Sequence, residues 1–515
     1  MQMTIRRWIF LPAIMLASSL YAQDVPVIEE TLTNGMRVLL VERHDEPAIA
    51  GGWVAHVGSS NERPGSTGIA HLFEHMMFKG TTTIGTTDYQ KDQEILDEQE
   101  KVRDQMRAEE AHMRVMLRRG EITDLLKPED WTPHYRDLQK QFQVLVDEER
   151  KLLVKNEFDK IYRAAGGTGM NAWTSEDMTV YFISLPANKL ELWAWMESER
   201  LYHSVRREFY SERDVVFEER RMRTESPPLG KLEEAFNAMF WESMPYSWPT
   251  LGWPSDIPAI SKKQADEFFA TYYSPQNITV VLVGDFVPAQ AEAMIEKYFG
   301  RIPRGTNAIP DVSTLEIKQP GEKRLNGEAD TNPQVDIYWH TVPFGHKDSY
   351  ALEILSQILS TRTGRLYKNL VMGSGVANDV FARQDSMKWA GDFDAGGEAS
   401  DGHTPAEVEQ GIYEAIDKLK TEDVPPEELQ KVKNNFAADQ FRRLDSNMSI
   451  LMNLLVNDGD GDWHEINNFG PKIQAVTAAD VRRVANEYFT KDNRAVGTFT
   501  RKSASMPAKG KEEAQ

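Results

Sequence analysis

The chain has 515 residues, more than one hydrophobic core usually organises, so two or more domains are expected. Its composition, 40% hydrophobic and 27% charged, is that of a soluble globular protein and excludes the disordered and fibrous classes. A formal net charge of −21 argues against nucleic acid or a membrane surface as the main partner, and the absence of cysteine excludes disulfides, thiolate metal sites and cysteine nucleophiles.

Residues 1–22, MQMTIRRWIFLPAIMLASSLYA, carry a basic start (Arg6, Arg7), an apolar stretch from Trp8 to Leu20 and small residues before a cut after Ala22. This is the pattern of a secretory signal peptide, too short in its apolar part for a bilayer span, and without a lipidation cysteine it predicts a periplasmic protein. "IEETLTNGMRVLLVERHD" reads as two strands about an Asn34-Gly35 turn, and "AIAGGWVAHVGS" continues the sheet. Ile69, Leu72, Phe73, Met76 and Met77 then recur at helical spacing, closed by Gly80.

Residues 88–163 change character: long charged stretches are punctuated by apolar residues at helical intervals, with a break at "RRGEITDLLKPEDWTPH". The pattern predicts a helical hairpin inserted in the first half, a solvated arm over a globular body rather than a strict-heptad coiled coil. An internal repeat organises the rest. "IPAISKKQADEFFATYYSPQNITVVLVGD" from Ile257 lies without a gap on "IQAVTAADVRRVANEYFTKDNRAVGTFTR" from Ile473, pairing Tyr272 with Tyr488 and Asn277 with Asn493. Each copy predicts a helix capped by Ser261 or Thr477, followed by a strand. The expected organisation is a first domain over 23–303, a Pro- and Gly-containing linker over 304–327, a second domain over 328–502 and a polar tail over 503–515.

Within the first helix, His71 and His75 stand four residues apart with Glu74 between them on the same face, so both imidazoles can reach one ion, although lone surface histidines produce the same pattern. A catalytic zinc takes three protein ligands and a water, which leaves one to find. "SERDVVFEERRMRTE" presents Glu212 and Glu219 two turns apart, and Glu219 is the candidate. On a charged helix such a glutamate pair alone is more often solvated surface.

The succession His71-x-x-Glu74-His75, "NAWTSEDMTVYF" (171–182) and "ERDVVFEE" (212–219) resembles the active half of the M16 family of inverted-motif zinc peptidases, the pitrilysin, insulysin and mitochondrial processing peptidase group. The resemblance implies an α+β fold of two homologous halves, each a mainly antiparallel sheet flanked by helices. It implies one zinc ion per chain held by His71, His75 and Glu219, with Glu74 as general base and Glu212 beside the ligands. It also makes Asn171, Ala172, Trp173 and Thr174 an edge strand that binds substrate backbone. The implied activity is zinc-dependent endopeptidase action on peptides or unfolded polypeptides; the alternative is a non-catalytic peptide-binding or assembly subunit.

Two features depart from the family. The 88–163 insertion separates the histidine motif from Glu219, and is expected to alter access to the cleft or a contact with another chain while leaving the zinc shell intact. In the second half, "HLFEH" aligns with "LEILS" (352–356) and keeps no ligand, as in the family's inactive half. That half normally supplies an arginine and a tyrosine near the scissile bond, and here Val371 and Asn378 occupy their places. Either a homologous partner subunit supplies the missing pair, or another residue such as Arg365 substitutes; the first is the reading adopted.

Overall fold

The structure, a computed structural model, describes residues 24–502; the expected signal segment 1–22 and tail 503–515 lie outside the described residues. The first half builds a six-stranded sheet from β1 (Ile28–Thr31), β2 (Arg37–Glu42), β3 (Ala48–Ala55), β4 (Thr168–Thr174), β5 (Thr179–Pro186) and β6 (Ile278–Gly284), in the order β1-β2-β6-β3-β5-β4. The second builds a five-stranded sheet from β7 (Lys323–Ala329), β8 (Gln334–Thr341), β9 (Ala377–Ser386), β10 (Gly391–Ala399) and β11 (Arg494–Arg501), in the order β7-β11-β8-β10-β9. Each sheet is antiparallel except for one parallel pair, β2 with β6 and β7 with β11, so the two are copies of one plan. Strand β7 begins inside the stretch expected as a linker. Its residues, KRLNGEA, are half-exposed and mostly polar or glycine, and give no apolar run.

In the first half the helices are α1 (Ile69–Met76), α2 (Tyr89–Arg118), α3 (Pro133–Arg150), α4 (Glu157–Ala164), α5 (Leu190–Tyr202), α6 (Phe209–Arg220), α7 (Gly230–Phe240), α8 (Lys262–Tyr272) and α9 (Pro288–Phe299). The second half has α10 (Ser349–Ser360), α11 (Pro405–Thr421), α12 (Pro426–Arg443), α13 (Asn447–Asp460), α14 (Glu465–Ala475) and α15 (Ala478–Tyr488). Among the described residues no helix is long and apolar enough to cross a membrane.

The sequence repeat corresponds to a repeated set of bonds. Ser261 with Gln264 and Thr477 with Asp480 form reciprocal capping boxes at the starts of α8 and α15. The Asn277 side-chain amide donates to the carbonyls of Tyr272 (2.9 Å) and His56 (3.2 Å), and that of Asn493 donates to Tyr488 (2.9 Å) and His340 (2.8 Å). The asparagine ties the end of a helix to the residue just after β3 in the first half and to β8 in the second, which accounts for its recurrence.

One face of the first sheet is covered by its own helices, with Trp53, Phe73, Tyr181 and Trp193 fully buried in that core. The other face holds Leu39, Val54, Val180 and Val281 against Ile450, Leu451, Leu454 and Leu455 of α13, which comes from the second half. Reciprocally, Phe236 and Phe240 of α7 pack with Ala495 and Tyr338 of the second sheet. Each half therefore lends a helix to the other's sheet. A polar tie reinforces the exchange, because Asp458 of α13 is fully buried and pairs with Arg37 and His56 of the first half. α2 and α3 form the hairpin expected over 88–163, with a small core of Met106, Met113, Ile122, Tyr135 and Leu138, but it ends at Arg150: α4, at the end of that stretch, buries Phe158 and Tyr162 in the core of the first half instead.

Candidate metal centre

Helix α1 starts at Gly68, whose φ of +91° suits glycine; a Cβ there would lie 2.7 Å from the Leu251 carbonyl oxygen. The buried Glu62 carboxylate accepts from the Gly68 and Ala70 N–H groups, both at 2.8 Å, and so satisfies donors that the first helical turn leaves free. The capped helix buries Ile69, Leu72, Phe73 and Met76 in the core and turns His71, Glu74 and His75 towards α6 and β4.

Three side chains from two helices meet at this place. Glu219 Oε2 lies 3.2 Å from His75 Nε2 and 3.8 Å from His71 Nε2. Among the described residues this is the one group of three histidine or carboxylate side chains whose ligand atoms all fall within 4.8 Å of one another. Two imidazole nitrogens and a carboxylate oxygen suit zinc, and three such ligands leave a fourth position of a tetrahedron for solvent, so the donor set fits the ion that the sequence implies.

Each member is held from outside. His75 Nδ1–H donates to Glu212 Oε1 at 2.8 Å, which fixes the ring and turns Nε2 towards Glu219. Glu212 in turn pairs with Lys79, the residue four beyond His75. Glu219 Oε1, the oxygen turned from the imidazoles, pairs with Arg223 at 2.7 Å. Glu74 Oε2 accepts from the Thr174 hydroxyl at 2.8 Å, which ties the carboxylate to strand β4.

The electrostatics divide the two imidazoles. Burial, with His75 alongside, lowers His71 to about 4, so it is neutral and carries a free lone pair. Burial also acts to lower His75, but its hydrogen bonds to Glu212 and Glu219 outweigh that and carry it to about 9. Glu219 is held below the usual carboxylate range by its bond to His75 and by His71 nearby. Burial raises Glu74, against the opposing bond from Thr174.

Strand β4 forms the outer edge of the first sheet, paired with β5 on one side. Of the four residues expected to meet substrate, Ala172 and Thr174 face α1, whereas the Trp173 ring turns to the opposite face and packs into the cluster around α13. Trp173 thus offers the site only its backbone, as alternation along a strand requires once Thr174 faces Glu74. The exposed Asn171 lines a cavity of about 440 Å³ together with Glu74, His75, Lys155, Asn156 and Glu208. A second cavity, of about 550 Å³, lies between the halves, with Arg223 on one wall and Asp336, Tyr338 and Phe381 on the other.

The second-half positions contribute no group here. Val371 packs against the second core, and the Asn378 amide donates to Glu398 at 2.9 Å. Arg365 is engaged by Glu428 through bonds of 3.1 and 2.7 Å. Sequence reasoning missed Lys79, Arg223 and Glu62. The i,i+4 spacing of Arg223 from Glu219 on a charged helix was a readable signal. Pairing of Lys79 with Glu212 and capping by Glu62 depend on tertiary placement.

The architecture is one of two similar α+β halves, of which the first carries the clustered histidines and carboxylate. Residues 37–108 match the family described as Insulinase (Peptidase family M16), and residues 259–436 match the Peptidase M16 inactive domain. The chain belongs to the M16 family. It is 28% identical to a protein named zinc protease PqqE from Helicobacter pylori, across 94% of this chain and 96% of that one. Its fold superposes on the crystal structure of a protease from Helicobacter pylori with a TM-score of 0.75 at 24% identity, covering 92% of this chain and 99% of that chain. It also superposes on the periplasmic protease PqqL from Escherichia coli with a TM-score of 0.67 at 16% identity, covering 93% of this chain and 48% of that one.

Proposed function

We propose that the protein is a zinc-dependent endopeptidase acting on peptides or unfolded polypeptides. The observation that carries this reading is the approach of Glu219 to both imidazoles, 3.2 and 3.8 Å away, beside the Glu74 carboxylate of α1, which is hydrogen-bonded to the edge strand. His71, His75 and Glu219 would hold one zinc ion per chain. Bound there, zinc supplies Lewis acidity, lowering the pKa of water and polarising the scissile carbonyl. Glu74 takes the proton from the attacking water and delivers it to the leaving amine. Glu212 fixes the tautomer and direction of the His75 ring. Strand β4 pairs by its open edge with an extended substrate backbone, independently of side-chain sequence, and the 440 Å³ cavity receives a neighbouring substrate side chain.

The chain is the zinc-bearing member of a pair, exported to the periplasm, whose homologous partner supplies the missing arginine and tyrosine. Engagement of Arg365 by Glu428 supports this over substitution by Arg365 itself. Those absent groups also favour the second reading, a non-catalytic peptide-binding or assembly subunit. Cleavage of a quenched peptide by wild type and by Glu74→Gln, with zinc content measured for both, separates the two. The peptidase reading predicts that the variant keeps its zinc and loses cleavage. A wild-type protein that holds zinc yet cleaves nothing, alone or with a co-purifying homologue, supports the second reading.

A further inference from the structure

The insertion touches the metal centre's own scaffold, and the contact is specific. Glu149, near the end of α3, is buried with 2% of its surface exposed. Its Oε1 accepts the backbone N–H of Glu208 at 2.9 Å, and its Oε2 accepts from the Gln99 side chain on α2 at 2.7 Å. Glu208 immediately precedes α6 and has a φ of +53°, a left-handed conformation that costs a non-glycine residue on the order of 1 kcal/mol. A strained backbone persists where its surroundings hold it. Here a carboxylate of the insertion does so.

The neighbours of Glu208 are anchored by the same hairpin. Arg207, buried, donates through Nε to Asp92 of α2 at 2.6 Å, and to the carbonyls of Thr81 (2.6 Å) and Ile84 (2.8 Å) beyond α1. The Tyr210 hydroxyl donates to Glu100 of α2 at 2.6 Å and accepts from Arg107 at 3.2 Å. Residues 207, 208 and 210 are thus pinned from α2 and α3 at the point where α6 begins. From there α6 carries Glu212 to His75 and Glu219 to both imidazoles. Glu219 lies eleven residues beyond Glu208, about 16 Å along the axis, so a tilt of about 10° at the pinned end would move it by about 3 Å. Metal–ligand distances tolerate only about 0.2 Å.

We infer that Glu149, acting through the backbone of Glu208, is a positioning residue for the metal centre, and that the insertion carrying it is a structural part of that centre. This rests on the metallopeptidase reading. It replaces the expectation that the insertion acts only on access or on a contact with another chain.

The test is the zinc dissociation constant of the full chain, from competition with a chromophoric chelator. Glu149→Met is expected to weaken zinc about tenfold, the lower range for residues that orient ligands. Glu149→Gln keeps an acceptor for the Glu208 N–H, and the Gln99 amide can turn to meet it, so affinity stays within about twofold of wild type. Adding Glu208→Gly to Glu149→Met recovers most of the loss, since glycine adopts the left-handed conformation unaided. Met113→Ala, in the hairpin's own core, loosens the insertion away from α6 and leaves zinc affinity within about twofold. Should Glu149→Met not fold, Gln99→Met, which removes the donor orienting the carboxylate, is expected to weaken zinc about threefold. Unchanged affinity in a folded Glu149→Met or Gln99→Met protein overturns the inference, as does an equal loss in Met113→Ala. Failure of the wild type itself to bind zinc overturns the underlying metallopeptidase reading instead.

Discussion

Replacing Glu212 tests how much of the metal affinity comes from the shell around the ligands. Its Oε1 accepts from His75 Nδ1 at 2.8 Å, it is 8% exposed, and its other oxygen pairs with Lys79. A hydrogen bond to an ionised group contributes about 1.5–3 kcal/mol, against about 1 for a neutral one. Glu212→Gln keeps the shape and an acceptor but loses the charge, and its amide NH2 must face the Lys79 ammonium. The difference of about 0.5–2 kcal/mol, centred near 1.3, corresponds to a zinc dissociation constant larger by roughly tenfold. Glu212→Ala also frees the His75 ring and leaves Lys79 facing the metal centre with Glu208 as a more distant partner, so the loss rises to about 30–100-fold. Chelator competition at fixed pH measures both constants, and circular dichroism of the metal-free proteins checks that the fold is retained. Equal zinc affinity in wild type and Glu212→Ala would refute the reasoning, because His75 would then need no outside support.

Thr174→Val removes the hydroxyl that donates to Glu74 and stabilises its charged form, so the Glu74 pKa rises and the acid limb of the pH–rate profile moves to higher pH, with kcat falling by about tenfold or less below neutrality. An unmoved acid limb would show that Glu74 does not govern it. Asp460, at the end of α13, is raised to about 8 by burial and then by Asp177 and Asp385. The folded state therefore binds a proton that the unfolded chain releases near pH 4, and this contribution is fully present below that pH and lost as pH rises through about 8. Asp460→Asn should then raise stability by several kcal/mol more at pH 8.5 than at pH 4.5 in urea titrations; a gain independent of pH would contradict this. Asp458→Ala removes the carboxylate pairing with Arg37 and His56 beneath the first sheet, and should cost about 2–4 kcal/mol in the same titrations. A cost below about 0.5 kcal/mol would mean that α13 is held by its leucines alone.

The parts of the molecule legible in the sequence are those with local geometry. Two histidines four apart on an amphipathic helix share one face, and the gapless repeat that pairs Asn277 with Asn493 announced two copies of a helix–strand unit. Glu219 could be joined to the histidines only through the family resemblance, since no spacing rule connects residues 75 and 219. The exchange of α7 and α13 between sheets was not legible, because the apolar side of α13 is the same whichever sheet it covers. Strand β7 was hidden by its glycine and polar residues, whose pairing with β11 is a tertiary event. The side of β4 on which Trp173 lies was open until Thr174 was seen against Glu74. The hairpin itself was visible in its charge pattern, whereas the buried contacts of Glu149 and Asp92 looked like two more charges on a solvated face.

The central claim is that side chains from α1 and α6 hold one divalent cation. The most direct measurement is anomalous diffraction at the zinc absorption edge from crystals of the zinc-loaded protein. The account predicts a single peak about 2.0–2.2 Å from an imidazole nitrogen of His71, from His75 Nε2 and from a carboxylate oxygen of Glu219. A peak coordinated by other residues, or none at this position in protein shown to contain zinc, would contradict it.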